Sequence, residues 1–157
     1  MRLYDFLVAA LLGGGAAATL SFCSNISRYD IVWGAITGAL GWCIYTVLIP
    51  DSGIVGIESF FWGALAVAVL SEILAVIVKN PATVYLIPGL LPLVPGGTMF
   101  QTMRAAVTGN LAQALPLGLF ALTAAGAIAL AVALSSSGAR ILGAISYKNH
   151  FLYHNVM

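Results

Sequence analysis

Charged side chains are nearly missing from this sequence. Six Lys/Arg and five Asp/Glu make up 7% of 157 residues, where soluble domains carry roughly a quarter, so a water-exposed globular surface is excluded. No Lys/Arg cluster is present to hold nucleic acid or an anionic lipid surface, and a net charge of +1 creates no field for a polyanion. Cysteine is scarce as well. Cys23 and Cys43 lie at the end of or inside apolar runs, with no metal-type spacing, and read as small packing residues. No nucleophile has a base at a recognisable distance, and no phosphate loop or metal-protease motif occurs. The chain is therefore not expected to be an enzyme, and no cofactor is implied. His150 and His154 are four apart, yet a metal needs a third ligand, so they read as interfacial residues of an aromatic tail.

Apolar length is what the sequence has in excess. Hydrophobic residues reach 61%, and the mean hydropathy is +1.04. Five runs, Leu3 to Cys23, Ile31 to Ile49, Ile54 to Val78, Ala82 to Phe100 and Ala114 to Leu134, each approach the roughly 20 residues a spanning helix needs. The expected fold is all-α: a polytopic membrane helix bundle of about five spans. It forms a single integral membrane domain over residues 1–157, in which 134–157 is an interfacial or cytoplasmic tail. Arg2 before an apolar stretch raises the question of a signal peptide. Asp5 and the bulky Phe22 fit processing poorly, so a retained first span is expected.

Small residues predict where helices touch. Gly13-Gly14-Gly15-Ala16-Ala17-Ala18 should place the first span inside the bundle, and Gly34 and Gly38 have the spacing of a close-packing face. Asp30 reads as the N-cap of the second span. Ala121, Ala125, Ala129 and Ala133 predict one packing stripe on the last span. Short linkers make sequence neighbours antiparallel. With five crossings, Arg28, Lys79, Arg140 and Lys148 share one side and Arg2 and Arg104 the other. That split favours an external N-terminus and a cytoplasmic C-terminus. A re-entrant hairpin in place of one span would leave four crossings and an even split.

The segment from Pro81 to Gly97 is apolar enough for a bilayer but carries four prolines and three glycines. Pro88, Pro92 and Pro95 remove the helical partners of the Val84, Pro88 and Leu91 carbonyls, and bare carbonyls in lipid cost several kcal/mol each. A discontinuous helix resolves the contradiction, with halves Ala82 to Leu91 and Thr98 to about Asn110 totalling roughly 34 Å. The break is expected near mid-depth. The second half begins at Gly97 or Thr98 with free N–H groups and the positive end of its dipole, which suits a carboxylate. Broken helices of this kind hold substrate in secondary transporters. The candidate substrate site is therefore Pro88, Gly89, Pro92, Pro95, Gly96, Gly97, Thr98, Gln101, Thr102 and Arg104. Thr98, Gln101 and Thr102 recur on one face, and Arg104 either pairs with a substrate carboxylate or snorkels to water. Glu72, an acid within an apolar span, is the candidate proton-coupling group.

The run Lys79-Asn80-Pro81-Ala-Thr-Val-Tyr-Leu-Ile-Pro88-Gly89-Leu-Leu-Pro92-Leu-Val-Pro95-Gly96-Gly97, preceded by Ser71-Glu72, resembles the signature of the threonine/serine exporter family. It is most similar to the small membrane subunit of its two-component bacterial systems. The resemblance implies efflux of small carboxylate-bearing metabolites, threonine and serine or succinate-like dicarboxylates. It also implies a larger membrane partner subunit and a multi-pass location in the bacterial cytoplasmic membrane. Two other readings are a stabilising subunit without substrate contact and a passive channel formed by self-association. A homo-oligomer is compatible with any of them.

Overall fold

The computed structural model describes residues 3–24, 26–49 and 56–154, with side chains for 6–24, 26–49, 56–139 and 141. Arg2, the linker 50–53 and the side chains of Arg140, Lys148, His150 and His154 lie outside the described residues. The orientation count and the two-histidine reading rest partly on them.

Six α-helices and one 3-10 turn follow in order, and no strand occurs among the described residues. They are α1 (Leu3–Cys23), α2 (Arg28–Val47), α3 (Ile57–Val78), α4 (Thr83–Leu90), the 3-10 turn Leu91–Leu93, α5 (Gly96–Val107) and α6 (Leu111–His154). Helices α1, α2, α3 and α6 are long and apolar enough to cross a bilayer. The α4 segment and α5 form a pair bent by 51°, which gives up to five crossings. The all-α bundle is thus as expected. Helix α6 continues through Ser135–Gly138 to His154 without a break. Ser137 donates to the Ala133 carbonyl at 2.7 Å, so this hydroxyl is satisfied within the helix.

Glycine sets the helix contacts. α1 packs mainly on α2 and touches α4, α2 also meets α3 and α4, and α3 lies against α6. Gly13 and Gly38 face each other so closely that a Cβ at Gly38 would stand 2.9 Å from the Gly13 carbonyl oxygen and collide with Ala17 Cβ. The Gly34 and Gly38 face is therefore real. The expectation that α1 lies inside the bundle is only half met. Its Gly13, Gly14 and Ala17 side is buried, but Leu11, Leu12 and Phe22 are exposed.

The alanine stripe of α6 also shifts. Ala121, Ala124, Ala127 and Ala131 are buried, while Ala125, Ala129 and Ala133 are exposed. A strict spacing of four advances 40° per step on a helix of 3.6 residues per turn, so it walks off the contact face. Alternating threes and fours stays on it. Asp30 is likewise not the cap of α2: Ser27 holds that position, and Asp30 lies in the first turn.

The core forms where Ala64 and Val67 of α3 meet Leu93 of the 3-10 turn and Ala131 of α6. Leu93 fills the space left by two glycines, its methyl carbons lying 3.4 Å from an ideal Cβ at Gly41 and 3.2 Å from one at Gly63. Nearby, the rings of Trp42, Tyr45, Phe60 and Phe120 stack in series at 5.0, 4.9 and 6.1 Å. α5 differs from the other helices because, among the described residues, it packs on α6 alone.

The α5–α6 turn is a Schellman closure. Gly109 has φ 78°, its N–H donates to the Ala106 carbonyl at 3.1 Å, and the Asn110 N–H donates to that of Ala105 at 2.9 Å. A Cβ at Gly109 would meet nothing within 4 Å. Gly109→Ala should therefore pay only for left-handed backbone, about 1–2 kcal/mol, read as a small drop in thermal stability in detergent. An unchanged melting point would show that this turn does not constrain the fold.

Candidate functional site

Proline shapes the bent α4–α5 pair as its chemistry requires, with one difference. Pro88 is accommodated inside α4, and the helix tightens into the 3-10 turn before Val94 becomes extended at φ −62°, ψ 128°. The Leu91 carbonyl, expected to be bare, accepts the Val94 N–H at 3.2 Å. A 3-10 turn uses an acceptor one residue nearer, and this is how the backbone absorbs Pro95. The Gly96 N–H then donates to the Val94 carbonyl at 2.7 Å, and α5 starts with Pro95 as its cap.

The break is off-centre. Leu93 is level with Gly41 and Gly63, each six residues from the nearer end of its helix, or about 9 Å. The expected mid-depth break is displaced because α4 and the 3-10 turn run on as 11 residues before the chain bends.

This bend divides the candidate residues into separate groups. Pro88 and Gly89 are buried against the bundle: an ideal Cβ at Gly89 would lie 2.7 Å from Val67 Cγ1 and 2.8 Å from Thr37 Oγ1. Pro92 is half-buried and Pro95 buried, whereas Gly96 and Gly97 are exposed with open space around them. Gly97 and Thr98 belong to the first turn of α5, whose N–H groups have no acceptor within the helix. Thr98 is half-buried. The Thr102 hydroxyl donates back to the Thr98 carbonyl at 2.8 Å, and its methyl packs near Gly118 of α6. Thr102 is thus turned to helix and packing contacts.

Gln101 and Arg104 are brought together. They line an open surface cavity of about 340 Å³ with Ala105, Thr108 and Gln113; Ala105 is buried and the four polar side chains are exposed. Gln101, Arg104, Ala105 and Thr108 follow the i, i+3, i+4, i+7 spacing of one helical face, and Gln113 enters from α6 across the glycine turn. Thr108 and Gln113 escaped the sequence reading. Thr108 was legible from the same spacing, but Gln113 needed the turn. The Thr108 hydroxyl donates to the carbonyls of Arg104 and Ala105 at 3.0 and 3.1 Å, so its proton is committed to its own helix and its oxygen can still accept. Asn110 steadies Gln113, donating to its Oε1 and accepting its N–H, both at 3.2 Å. One permanent cation, two carboxamides and a hydroxyl, with no acid in the lining, can receive a small carboxylate that bears further polar groups.

Glu72 is half-buried on α3, six residues from its end, beside the buried Ser71, whose hydroxyl donates to the Val67 carbonyl at 2.8 Å. It is on a different element from the cavity. A further polar cluster was not anticipated. The Tyr85 hydroxyl donates to Asp30 Oδ1 at 2.7 Å and the Asn80 amide to Asp30 Oδ2 at 2.9 Å. Asn80 and Tyr85 belong to the motif run, but their five-residue spacing gave no sign of a partner 50 residues upstream.

A family model described as Threonine/Serine exporter, ThrE matches residues 8–137. No curated protein and no solved structure matches the chain.

Proposed function

The chain belongs to the threonine/serine exporter family, and from that premise we propose that it is a membrane subunit exporting small carboxylate-bearing metabolites with a larger partner subunit. Its place would be the bacterial cytoplasmic membrane, with threonine, serine or succinate-like dicarboxylates as cargo. The observation that carries this reading is the polar cavity beside the broken span, where Arg104 and Gln101 stand with Thr108 and Gln113. Arg104 supplies the charge a carboxylate needs, and the amides and hydroxyl suit the hydroxyl or amino group of a small metabolite.

The need for a partner is supported by unfilled surface. Ala125, Gly126, Ala129 and Ala133 leave one side of α6 small and exposed, which lets another helix approach closely. α5 also exposes Met99, Phe100 and Met103. The test is efflux from proteoliposomes loaded with labelled threonine, serine or succinate, with this chain alone and with a candidate large subunit. Saturable efflux that requires both chains supports the proposal. Flux by this chain alone without saturation would favour a passive pore, and efflux unaffected by any change around the cavity would favour a stabilising subunit.

Coupling is assigned to Glu72, the half-buried acid of α3. An acid held within a span can carry a proton across the transport cycle. Glu72→Gln is expected to leave binding intact while lowering gradient-driven efflux about a hundredfold, the effect of losing one proton-transfer group at the low end of its usual range. Full gradient-dependent efflux in this variant would remove Glu72 from the mechanism.

A further inference from the structure

Asn110 and Gln113 meet at the start of α6, on the edge of the Arg104 cavity. Asn110 is anchored there by its backbone, whose N–H donates at 2.9 Å to the carbonyl of Ala105, the buried residue of the cavity lining. The Gln113 N–H lies 3.2 Å from Asn110 Oδ1 and the same distance from the Asn110 carbonyl. A backbone N–H can only donate, so the side-chain atom of Asn110 that faces it must be the oxygen. The amide nitrogen is then the end of Asn110 that meets the Gln113 carboxamide, at 3.2 Å. That nitrogen also only donates, so Gln113 presents Oε1 to it. The NH2 end of Gln113 is left over, on a side chain that lines the cavity.

We infer that Asn110 is a positioning residue that turns the Gln113 carboxamide so that its NH2 end is offered to the cavity, and that Gln113 therefore selects cargo whose second polar group accepts a hydrogen bond. This inference rests on the exporter reading and narrows its cargo class. With one carboxylate at Arg104, Gln113 favours a neighbouring hydroxyl oxygen or a second carboxylate. An ammonium offered to the same NH2 would set donors against donors and gain nothing there. The other lining groups do not duplicate this choice. Thr108 has its proton committed to its own helix, so it serves as an acceptor and suits an ammonium. Gln101 carries both a donor and an acceptor and can serve either kind of group.

Asn110 also caps α6, since its Oδ1 reaches the N–H three residues on, and capping alone predicts a different response to substitution. Asn110→Asp keeps an oxygen on the Gln113 N–H and with it the cap. Its other terminal atom is an oxygen in place of NH2, so the Gln113 carboxamide must turn over. Gln113 then gives its NH2 to the introduced carboxylate and shows Oε1 to the cavity. Succinate, whose far carboxylate only accepts, loses its partner. Serine keeps one, because a hydroxyl can donate as well as accept. Asn110→Ser retains a cap and releases Gln113 without inverting it.

Gln101 and Gln113 are the only glutamines in the sequence, and both line the cavity. NMR of the full chain in lipid nanodiscs, with isotope-labelled glutamine, therefore reports on this site alone, and the Gln113 NH2 signal is assigned by its loss in Gln113→Leu. Without cargo, exchange of the Gln113 NH2 with water should slow about threefold or more in Asn110→Asp, the protection given by one exposed hydrogen bond, and should not slow in Asn110→Ser. In efflux with the large subunit, Asn110→Asp should raise the half-saturating concentration of succinate roughly tenfold and that of serine no more than about twofold, the low ends for a charged and a neutral hydrogen bond. The introduced charge would itself repel succinate, so the comparison is repeated on Gln113→Leu, where most of the succinate factor should vanish. Unslowed NH2 exchange in Asn110→Asp, or a succinate factor that persists in full on Gln113→Leu, overturns the inference. The exchange measurement needs no cargo. Failure of the exporter reading would instead appear as absent efflux with the exchange pattern intact.

Discussion

Gly38→Val is expected to abolish folded protein in the membrane fraction, while Gly15→Val, in the glycine run of the facing helix, leaves it nearly unchanged. A Cβ at Gly38 would collide with Ala17 Cβ and stand 2.9 Å from the backbone oxygen of Gly13. Neither obstacle is the movable end of a long side chain. α1 and α2 must therefore separate along the contact that organises the first half of the bundle. Overpacking by a single methylene costs about 1–3 kcal/mol, and valine adds three carbons at a backbone-to-backbone contact. In lipid the loss is felt in full, because helix association there depends on packing and not on the hydrophobic effect. Gly15 has open space where its Cβ would go. Fluorescence-detected size exclusion of the two variants gives the answer, and equal monodisperse peaks would show that the Gly13–Gly38 approach is not needed for folding.

Spans were legible because the bilayer is a uniform solvent that demands about 20 apolar residues per crossing. The expected run from Leu3 to Cys23 coincides with α1, and Val78 closes α3 as expected. The prolines marked where the α-helix is interrupted, but the second helix starts at Gly96, two residues before the expected Thr98. What sequence could not supply is rotation. Ala125 and Ala124 are indistinguishable as letters, yet only Ala124 is buried, because a helix face is set by a 100° step and by which neighbour lies opposite. The same holds for the candidate site. Gln101 and Arg104 share a cavity, but Pro88 and Gly89, candidates for the same site, pack on α2 and α3 because the chain bends by 51° between them. Asp30 is the most instructive case. Its position just before the apolar run at Ile31 reads as helix capping, a local role, and its actual partners are Asn80 and Tyr85, which only the tertiary fold brings near.

Arg104→Gln should separate transport from folding. Arg104 is exposed in the last turn of α5, and α6 is that helix's main support. A cation there gains about 0.3–1 kcal/mol from the helix dipole at most, so the variant should fold to nearly normal levels. A hydrogen bond to a charged group contributes about 1.5–3 kcal/mol, or roughly 10- to 100-fold in affinity. The half-saturating concentration for a carboxylate cargo should therefore rise by that factor, with the lower end expected if water continues to screen the guanidinium. Arg104→Lys keeps the charge but gives up the planar two-pronged geometry, and should fall between the two. The cavity makes a further distinction. Gln113→Leu, which removes a neutral partner from the α6 side, should weaken cargo bearing a second polar group more than a simple monocarboxylate. A pure snorkelling role for Arg104 makes the opposite forecast: glutamine would leave half-saturation untouched for every cargo, and at most lower the amount of protein in the membrane. Initial efflux rates across a range of internal cargo concentrations decide between them, because a folding defect scales the maximal rate whereas loss of a binding cation moves the concentration axis.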